Sequence, residues 1–216
     1  MLKVSGIEFS YDKKNKILDG VSFEVAEGEV VAVLGGSGSG KSTLLSIIVG
    51  LEEPGAGEII LEGRNITEIP CEKRGIGLVF QDYALFPHLN VEKNVGFALK
   101  RGQEERITEM LELVRMQEYR KRYPYELSGG EKQRIAIARS LAAGPKLLLM
   151  DEPFSNLDAN LRSAVRQEIK GIIKKAKITV ILVTHDIEDA TELSDRIIYL
   201  KNGRIDRIVV NERETH

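Results

Sequence analysis

Hydrophobic and polar residues alternate over the first thirty positions, and short continuous apolar runs take over further along the chain. The alternation predicts β-strands from Lys3 to Ser10 and from Val21 to Val25. Apolar runs bounded by turns are typical of strands that are covered on both faces. Such runs occupy residues 30–34, 76–80, 146–150 and 178–183, and residues 58–61, which follow a turn, predict another short strand. Asn202-Gly203, between apolar segments at 197–200 and 205–209, predicts a two-residue hairpin.

Helical periodicity dominates between Asp82 and about Ala143, where no strand pattern occurs. One helix is predicted from Thr108 to Met116, and a longer one from about Ala159 to Lys175. The apolar residues that define their buried faces are Met110, Leu111, Leu113 and Val114 in the first helix, and Leu161, Val165, Ile169 and Ile172 in the second.

Strands that alternate with helices predict an α/β fold with a mostly parallel core sheet and right-handed crossovers. We predict one domain over residues 1–216, with its core at 1–81 and 144–216. An antiparallel β subdomain is expected near the N-terminus, and a helical lobe is expected to be inserted at about 82–143. In such sheets ligands bind beyond the carboxyl ends of the strands.

A glycine-rich segment with a lysine, residues 35–43, lies between the apolar run 30–34 and the apolar helix 44–49. It fits the phosphate-loop pattern of Gly, four residues and Gly-Lys-Ser/Thr, in the expected strand–loop–helix context. Backbone N–H groups of such a loop point at an anion, and the helix start adds its positive dipole end. The alternative is a flexible Gly/Ser loop that binds nothing. The predicted nucleotide-binding residues are Gly35, Gly36, Ser37, Gly38, Ser39, Gly40, Lys41, Ser42 and Thr43.

Two adjacent carboxylates, Asp151 and Glu152, end the apolar run 146–150. Phosphoryl transfer requires a phosphate loop, a carboxylate near Mg²⁺ and a group that positions the attacking water. We therefore expect Asp151 and the Ser42 hydroxyl at the metal, and Glu152 at the water. The alternative is a solvated junction between a strand and a loop.

A second glycine-rich segment, Leu127–Gly130, precedes the apolar helix 134–141. Ser128 and Glu131 have the spacing of a capping box. A well-capped helix is therefore one interpretation. The other is a second anion site at a helix start, which could serve a nucleotide held by another copy of the chain.

Composition narrows the class of partner. The net charge of −2 gives no basic field for nucleic acid, so no nucleic-acid partner is expected. A single cysteine, Cys71, excludes an internal disulfide and suits a reducing compartment. The first six residues do not form a signal peptide, and no apolar run approaches the ~20 residues of a membrane helix.

These motifs, in this order, resemble the ATPase subunits of ATP-binding-cassette (ABC) transporters. The resemblance covers nearly the whole chain. Besides the segments above it rests on Gln81, on Ser155-Asn156-Leu157-Asp158 and on His185. It implies the phosphate-loop ATPase fold, a head-to-tail homodimer, and two ATP molecules with Mg²⁺ in the dimer interface.

The resemblance also implies residue roles. Tyr11 matches the aromatic residue that stacks on adenine, and Gln81 the residue that senses Mg²⁺ or water. His185 matches the histidine that contacts the terminal phosphate. The implied catalytic set is Glu152, His185, Gln81 and Lys41, and the implied metal set is Ser42, Gln81 and Asp151. The segment contributed by the opposite copy is Ser128, Gly129, Gly130 and Glu131, and the dimer-contact loop is Ser155, Asn156, Leu157 and Asp158.

Two residues depart from the family pattern: Glu131 stands where Gln is usual, and Asn156 stands where Ala is common. We expect Glu131 to be a tolerated variant of the family pattern. We expect Asn156 to adjust the dimer interface without removing it. The segment 81–95 is similar to importer ATPases for sugars, polyamines, ferric iron, oxyanions and thiamine. Phe86 and Leu89, beside Pro87, are expected to offer an apolar groove to a membrane subunit.

The resemblance implies a peripheral protein on the cytoplasmic face of the cell membrane, which works with permease subunits and an extracytoplasmic solute-binding protein. Many such relatives carry a C-terminal regulatory domain, and the sequence ends after its hairpin, so that form of control is expected to be absent. Alternatives are an exporter or lipoprotein-release ATPase, a soluble ABC-type ATPase of chromosome maintenance or DNA repair, and a small-molecule kinase. Soluble relatives contain a long coiled coil, which this sequence lacks, and a kinase has no need of Leu127–Gly130.

Overall fold

A computed structural model describes residues 1–12 and 15–211. Its strands are β1 (Leu2–Phe9), β2 (Leu18–Val25), β3 (Val30–Leu34), β4 (Ala56–Leu61), β5 (Arg64–Asn65), β6 (Ile76–Val79), β7 (Leu147–Asp151), β8 (Thr179–Thr184), β9 (Arg196–Lys201) and β10 (Arg204–Val210). Its α-helices are α1 (Lys41–Val49), α2 (Val91–Val95), α3 (Glu104–Leu113), α4 (Gly129–Ala142), α5 (Ala159–Ala176) and α6 (Ile187–Leu193). Short 3₁₀ turns occupy Cys71–Lys73, Gln117–Tyr119 and Pro124–Glu126. Within these described ranges, no helix combines the length and apolar character needed to cross a membrane.

The strands form two sheets. The larger has the order β10-β9-β3-β8-β7-β6, and all its neighbours are parallel except the β9–β10 hairpin. The smaller is antiparallel, with the order β2-β1-β4-β5. The predicted α/β class, with a mostly parallel core sheet and an N-terminal antiparallel sheet, is confirmed.

Alternate residues of the central strands face two different hydrophobic cores, as the period of a strand requires. Val31 and Val33 of β3 pack with α1 and with the antiparallel sheet. Val30, Ala32 and Leu34 pack with the helices on the other side. Because both faces are covered, these strands are apolar without interruption, which is why the sequence predicted them.

The chain between β6 and β7 forms helices and turns without a strand, as the periodicity between 82 and 143 predicted. Its apolar side chains, among them Val91, Met110 and Ile135, belong to the same core as one face of the central sheet. The helix predicted at 108–116 is observed as α3, which begins four residues earlier and ends at Leu113. Glu104 and Glu105 stabilise its first turn, and Arg115 adopts a left-handed φ of 56° beyond its end.

Arg74 connects the C-terminus of α1 to the segment before β6. Its guanidinium is 5% exposed and donates to the carbonyls of Ile47 and Ile48 in the last turn of α1, at 2.8 and 3.0 Å. It also donates to the carbonyls of Thr67 and Ile69. A buried cation at a helix C-terminus satisfies carbonyls that lack partners within the helix. Arg74 therefore fixes the helix whose other end carries the glycine-rich loop.

We predict that Arg74→Met lowers the free energy of unfolding by about 3–5 kcal/mol, because it leaves several buried carbonyls without donors. Urea denaturation followed by circular dichroism measures this loss. Arg64→Met, at an exposed position of β5, is the control and should change stability by less than about 0.5 kcal/mol. Equal stability of the two variants would refute the role given to Arg74.

Candidate functional site

Three segments with candidate chemistry follow three adjacent parallel strands. The glycine-rich loop follows β3, His185 follows β8, and Glu152 follows β7. Cα pairing brings Leu34 opposite Thr184, and Asp151 opposite Val183, so the strands end at nearly the same level. Gln81 lies two residues beyond β6, the next strand of the sheet. The sheet therefore brings together residues that are far apart in sequence.

Lys41, at the first position of α1, is 6% exposed. Its amine donates to the carbonyls of Gly35 and Gly36, at 2.8 and 3.1 Å, and lies 3.9 Å from Oε1 of Glu152. Gly40 has a φ of 97°, and a Cβ there would meet the Leu18 side chain at 2.8 Å. A Cβ on Gly35 would lie 2.5 Å from the Leu200 carbonyl. Both positions thus require glycine, and the loop curves around the lysine.

The loop suits phosphate groups. The Ser39 hydroxyl is buried and has no hydrogen-bond partner among the described residues, which is unusual for a buried polar atom. No side chain caps the start of α1, where the preceding residue is Gly40. The first N–H groups of a helix lack partners within it and attract anions. A phosphate oxygen would satisfy these donors, so the residues present fit the predicted ligand.

Ser42 and Asp151 are in contact, with the Ser42 hydroxyl donating to Oδ1 of Asp151 at 3.1 Å. Burial raises the pKa of Asp151, and the nearby charge of Glu152 raises it further, while Ser42 and Lys41 oppose the shift. A divalent cation beside this carboxylate would favour its ionised form. Hydroxyl and carboxylate oxygens are the ligands that Mg²⁺ prefers. This pair therefore fits a magnesium ion.

Glu152 and His185 form a close pair, with Nδ1 of His185 2.6 Å from Oε2 of Glu152. Glu152 has a left-handed φ of 43°, and its N–H donates to the Val183 carbonyl at 3.0 Å. This backbone conformation turns the carboxylate of Glu152 toward Lys41 directly after Asp151. The sequence did not predict this left-handed form, which is uncommon for a non-glycine residue.

The signature segment, Leu127–Gly130, leads into α4. Ser128 is the N-cap of α4 and forms a reciprocal capping box with Glu131, as the sequence predicted. Gly129 and Gly130 lie against other parts of the same chain: a Cβ on Gly129 would lie 2.8 Å from the Leu157 side chain, and one on Gly130 would lie 2.7 Å from Cγ2 of Val165. Close packing is therefore one reason for glycine at both positions.

Glu131 holds the Ser128 hydroxyl. Its carboxylate accepts from the Ser128 N–H at 2.7 Å and from the Ser128 hydroxyl at 2.8 Å. Burial alone would raise the pKa of Glu131, but hydrogen bonds from Ser128 and Tyr119 and the charge of Arg134 hold it below the ordinary value of 4.5. Negative charge is also stabilised at a helix start.

The predicted dimer-contact loop, residues 155–158, makes contacts within its own chain. The Ser155 hydroxyl donates to the Glu152 carbonyl at 2.9 Å, and the Asn156 side chain donates to the Gln81 carbonyl at 2.8 Å. Leu157 is buried beside Gly129. Asn156 and Asp158 are exposed. The loop thus connects three parts of the candidate site and presents two polar residues to solvent.

Tyr11 and Gln81 lie at the edge of this arrangement. Tyr11 is 66% exposed and packs edge-to-face on Phe9, with ring centroids 4.7 Å apart. Gln81 is exposed and is tied to Asn156 through its backbone carbonyl. The adenine contact of Tyr11 and the metal contact of Gln81 remain predictions.

Sequence reasoning missed a set of ionic residues behind His185. Arg162 and Arg166 of α5 pair with Asp186 and Asp189, which lie next to His185 or in the first turn of α6. The signal was present in the sequence. Arg162 and Arg166 are four residues apart, so they share one face of the predicted helix, beside its apolar residues.

The chain matches the family model described as ABC transporter over residues 18–155. It is 45% identical to the sulfate/thiosulfate import ATP-binding protein CysA of Bacillus cereus, over 96% of this chain and 60% of that protein. It is 44% identical to the putrescine transport ATP-binding protein PotG of Escherichia coli, over 96% of this chain and 56% of that one. The chain therefore spans about 60% of the length of these curated relatives.

Among solved structures, it is similar to a dimeric post-hydrolysis state of the ATP-binding cassette MJ0796 bound to ADP and Pi. The TM-score is 0.82 and the sequence identity is 32%, with 99% of this chain and all of that chain covered. The fold is thus that of an ABC ATPase cassette.

We predict that Gly130→Ala lowers the free energy of unfolding by about 1–2 kcal/mol, because the clash with rigid Val165 exceeds the gain in helix propensity. In a Val165→Ala background the same change should be neutral or stabilising by up to about 1 kcal/mol. Chemical denaturation of the four proteins tests this sign reversal. An equal loss in both backgrounds would contradict the packing explanation.

We predict that Glu131→Gln lowers the free energy of unfolding by about 0.5–1 kcal/mol at pH 7, because the capping amide carries no charge. The folded-state pKa of Glu131 is below its ordinary value, so its contribution is complete above pH 4.5 and is lost as pH falls through the folded pKa. Denaturation at pH 7 and at about pH 3 should show the difference disappear. Glu118→Gln, at an exposed position, is the control. If Glu131→Gln remains less stable than the wild type at about pH 3, the charge explanation is wrong.

Proposed function

The chain belongs to the ABC transporter family, and from that premise we propose that it is the ATP-hydrolysing subunit of a membrane transporter, of the importer type. The observation that carries the proposal is the convergence of Lys41, Ser42, Asp151, Glu152 and His185 at three adjacent strand ends, with contacts of 2.6 to 3.9 Å between them. Phosphoryl transfer requires this combination of an anion loop, a metal ligand and a water-positioning carboxylate.

The phosphate loop binds the nucleotide in this proposal. Backbone N–H groups of residues 35–43 and the start of α1 hold the phosphates. The amine of Lys41 leaves its two carbonyl acceptors for the outer phosphate oxygens. Tyr11, exposed beyond β1, stacks on the adenine ring.

Ser42 and Asp151 would hold Mg²⁺, with Gln81 completing the metal and water shell. When bound, ATP supplies the phosphoryl group that is transferred to water, and Mg²⁺ neutralises charge on the phosphates. Glu152 orients the attacking water and accepts its proton. His185 donates its Nδ1–H to Glu152, which keeps the carboxylate in place, and lies beside the terminal phosphate.

A second copy of the chain completes the site in this proposal. Ser128, Gly129, Gly130 and Glu131 of that copy would face the phosphates at the start of its α4. The exposed polar residues Asn156 and Asp158 would contact the opposite copy. The solved relative, which is dimeric and bound to ADP and Pi, supports a nucleotide-bound dimer.

We also infer that residues 1–216 are a single ATPase domain, with its core at 1–81 and 144–216 and a helical lobe at about 82–143. Phe86 packs against the exposed Phe97, with ring centroids 4.2 Å apart and the ring planes tilted by 34°, and this apolar surface fits docking of a permease helix. Importers of this type work at the cytoplasmic face of a membrane and receive solute from an extracytoplasmic binding protein. The name of the first relative, an import ATP-binding protein, supports import. The cargoes named for the two relatives differ at nearly equal identity. Cargo is therefore assigned to the permease and binding protein.

We predict that Glu152→Gln slows ATP hydrolysis by about 10²–10⁴-fold, because the substituted side chain cannot accept the proton of water. The variant should retain ATP and elute as a dimer in size-exclusion chromatography with Mg-ATP. Lys41→Ala in the same background should remain monomeric, because it loses the phosphate contact.

A mixing experiment separates the composite site from a site built by one chain. Lys41→Ala and Ser128→Arg are each expected to be inactive. If the two copies face head to tail, mixing them restores one site with an intact phosphate loop and an intact Ser128, so part of the activity returns. Absence of any recovery, together with a monomeric Glu152→Gln variant at saturating Mg-ATP, would refute the dimer proposal.

A further inference from the structure

The loop that carries His185 is fixed by the hydroxyl of Thr184. This residue ends β8 and is 2% exposed. Its hydroxyl donates to Oδ2 of Asp189 at 3.2 Å and accepts the Asp186 N–H at 3.0 Å. Both bonds join Thr184, which precedes His185, to residues that follow His185, so the hydroxyl of Thr184 sets the turn from which the imidazole projects.

Asp189 is itself held by a buried arginine. Arg166 is 2% exposed, and its Nε and Nη2 lie 3.0 and 2.8 Å from Oδ1 of Asp189. Its Nη1 lies 2.6 Å from Glu192 and 3.6 Å from Glu188. Two N–H groups of the guanidinium thus converge on Oδ1 of Asp189, which leaves Oδ2 for the Thr184 hydroxyl. Hydrogen bonds between oppositely charged groups are short and strong. The carboxylate of Asp189 is therefore a rigid acceptor for Thr184.

Arg162, one helical turn before Arg166, holds the other side of the loop. Its Nη1 lies 2.9 Å from Oδ2 of Asp186, the residue that follows His185 and caps α6. Residues four apart lie on the same face of a helix, so both arginines of α5 point toward the loop of His185.

We propose that Thr184, Asp189 and Arg166 are positioning residues for His185, with Arg162 supporting them through Asp186. The inference rests on the proposed function, in which His185 holds Glu152 beside the attacking water. None of these residues touches the nucleotide site directly. They act by restricting the His185 backbone, so that Nδ1 stays within reach of Glu152.

Stability alone does not account for this cluster. An apolar replacement of a buried ion pair is often neutral or stabilising, so such a pair is weak evidence for a role in stability. The hydrogen bonds of the cluster also end at the backbone next to His185, whose imidazole is exposed. A functional side chain keeps its geometry when the residues around it are themselves fixed by packing and hydrogen bonds.

The test is Thr184→Val, which removes the hydroxyl and retains the shape of a β-branched side chain. We expect kcat for Mg-ATP to fall by about 10–100-fold while KM stays within about 2-fold, because a small misplacement affects the chemical step more than binding. The Nδ1–H proton of His185, observed by NMR and assigned with His185→Gln, should broaden or shift.

Thr191→Val in α6 is the matched control, because the Thr191 hydroxyl bonds carbonyls of its own helix, Ile187 at 2.9 Å and Glu188 at 3.2 Å. It should leave kcat and the His185 signal unchanged. Arg166→Lys retains the charge but loses the two converging N–H groups on Asp189, and Asp189→Asn retains the shape but loses the charge. Both should lower kcat, with Arg166→Lys the milder.

The outcomes separate this inference from the function on which it rests. Wild-type protein without ATP hydrolysis, but with a His185 signal that moves in Thr184→Val, would overturn the function and support the positioning. Active wild-type protein with Thr184→Val equal to Thr191→Val in kcat and in the His185 signal would overturn the positioning alone.

Discussion

The geometry of the candidate site depends on the contacts that the buried ammonium group of Lys41 makes with its own loop and with Glu152. A charge removed from water must be solvated by the protein itself. The carbonyls of Gly35 and Gly36, with Glu152 nearby, provide that solvation. They can do so because the loop contains glycine at crowded and left-handed positions, and because β3 and β7 end at nearly the same level. One lysine thus connects the phosphate loop to the carboxylate that would position water.

A second set of contacts connects the parts of the site to one another. Residues 155–158 reach Glu152, the Gln81 segment and the signature segment through one residue each. The helix α5 begins directly after this loop, and its arginines hold the loop of His185. Motifs that are separate in sequence are therefore one packed unit, and movement at any of them displaces its neighbours.

Sequence patterns succeeded where a local rule controls the outcome. The central strands were predicted because burial on both faces requires unbroken apolar runs. The Ser128–Glu131 capping box was predicted because its bonds span three residues. Helix α3 was predicted four residues too late, since its acidic first turn lies before the apolar face. Helices α2 and α6 were missed, because helices of five and seven residues depend on caps and tertiary packing more than on propensity.

By itself, the sequence determined the order of the central strands and of the longer helices, the phosphate loop and the identity of the polar residues at the strand ends, because these depend on neighbours along the chain. The pairing of Glu152 with His185 at 2.6 Å, the packing reason for Gly130 and the pairing of buried Arg166 with Asp189 were decided by the tertiary structure. Each joins residues at least 23 positions apart, and nothing in local spacing specifies which face of one element meets another. Sheet order and register supply that information.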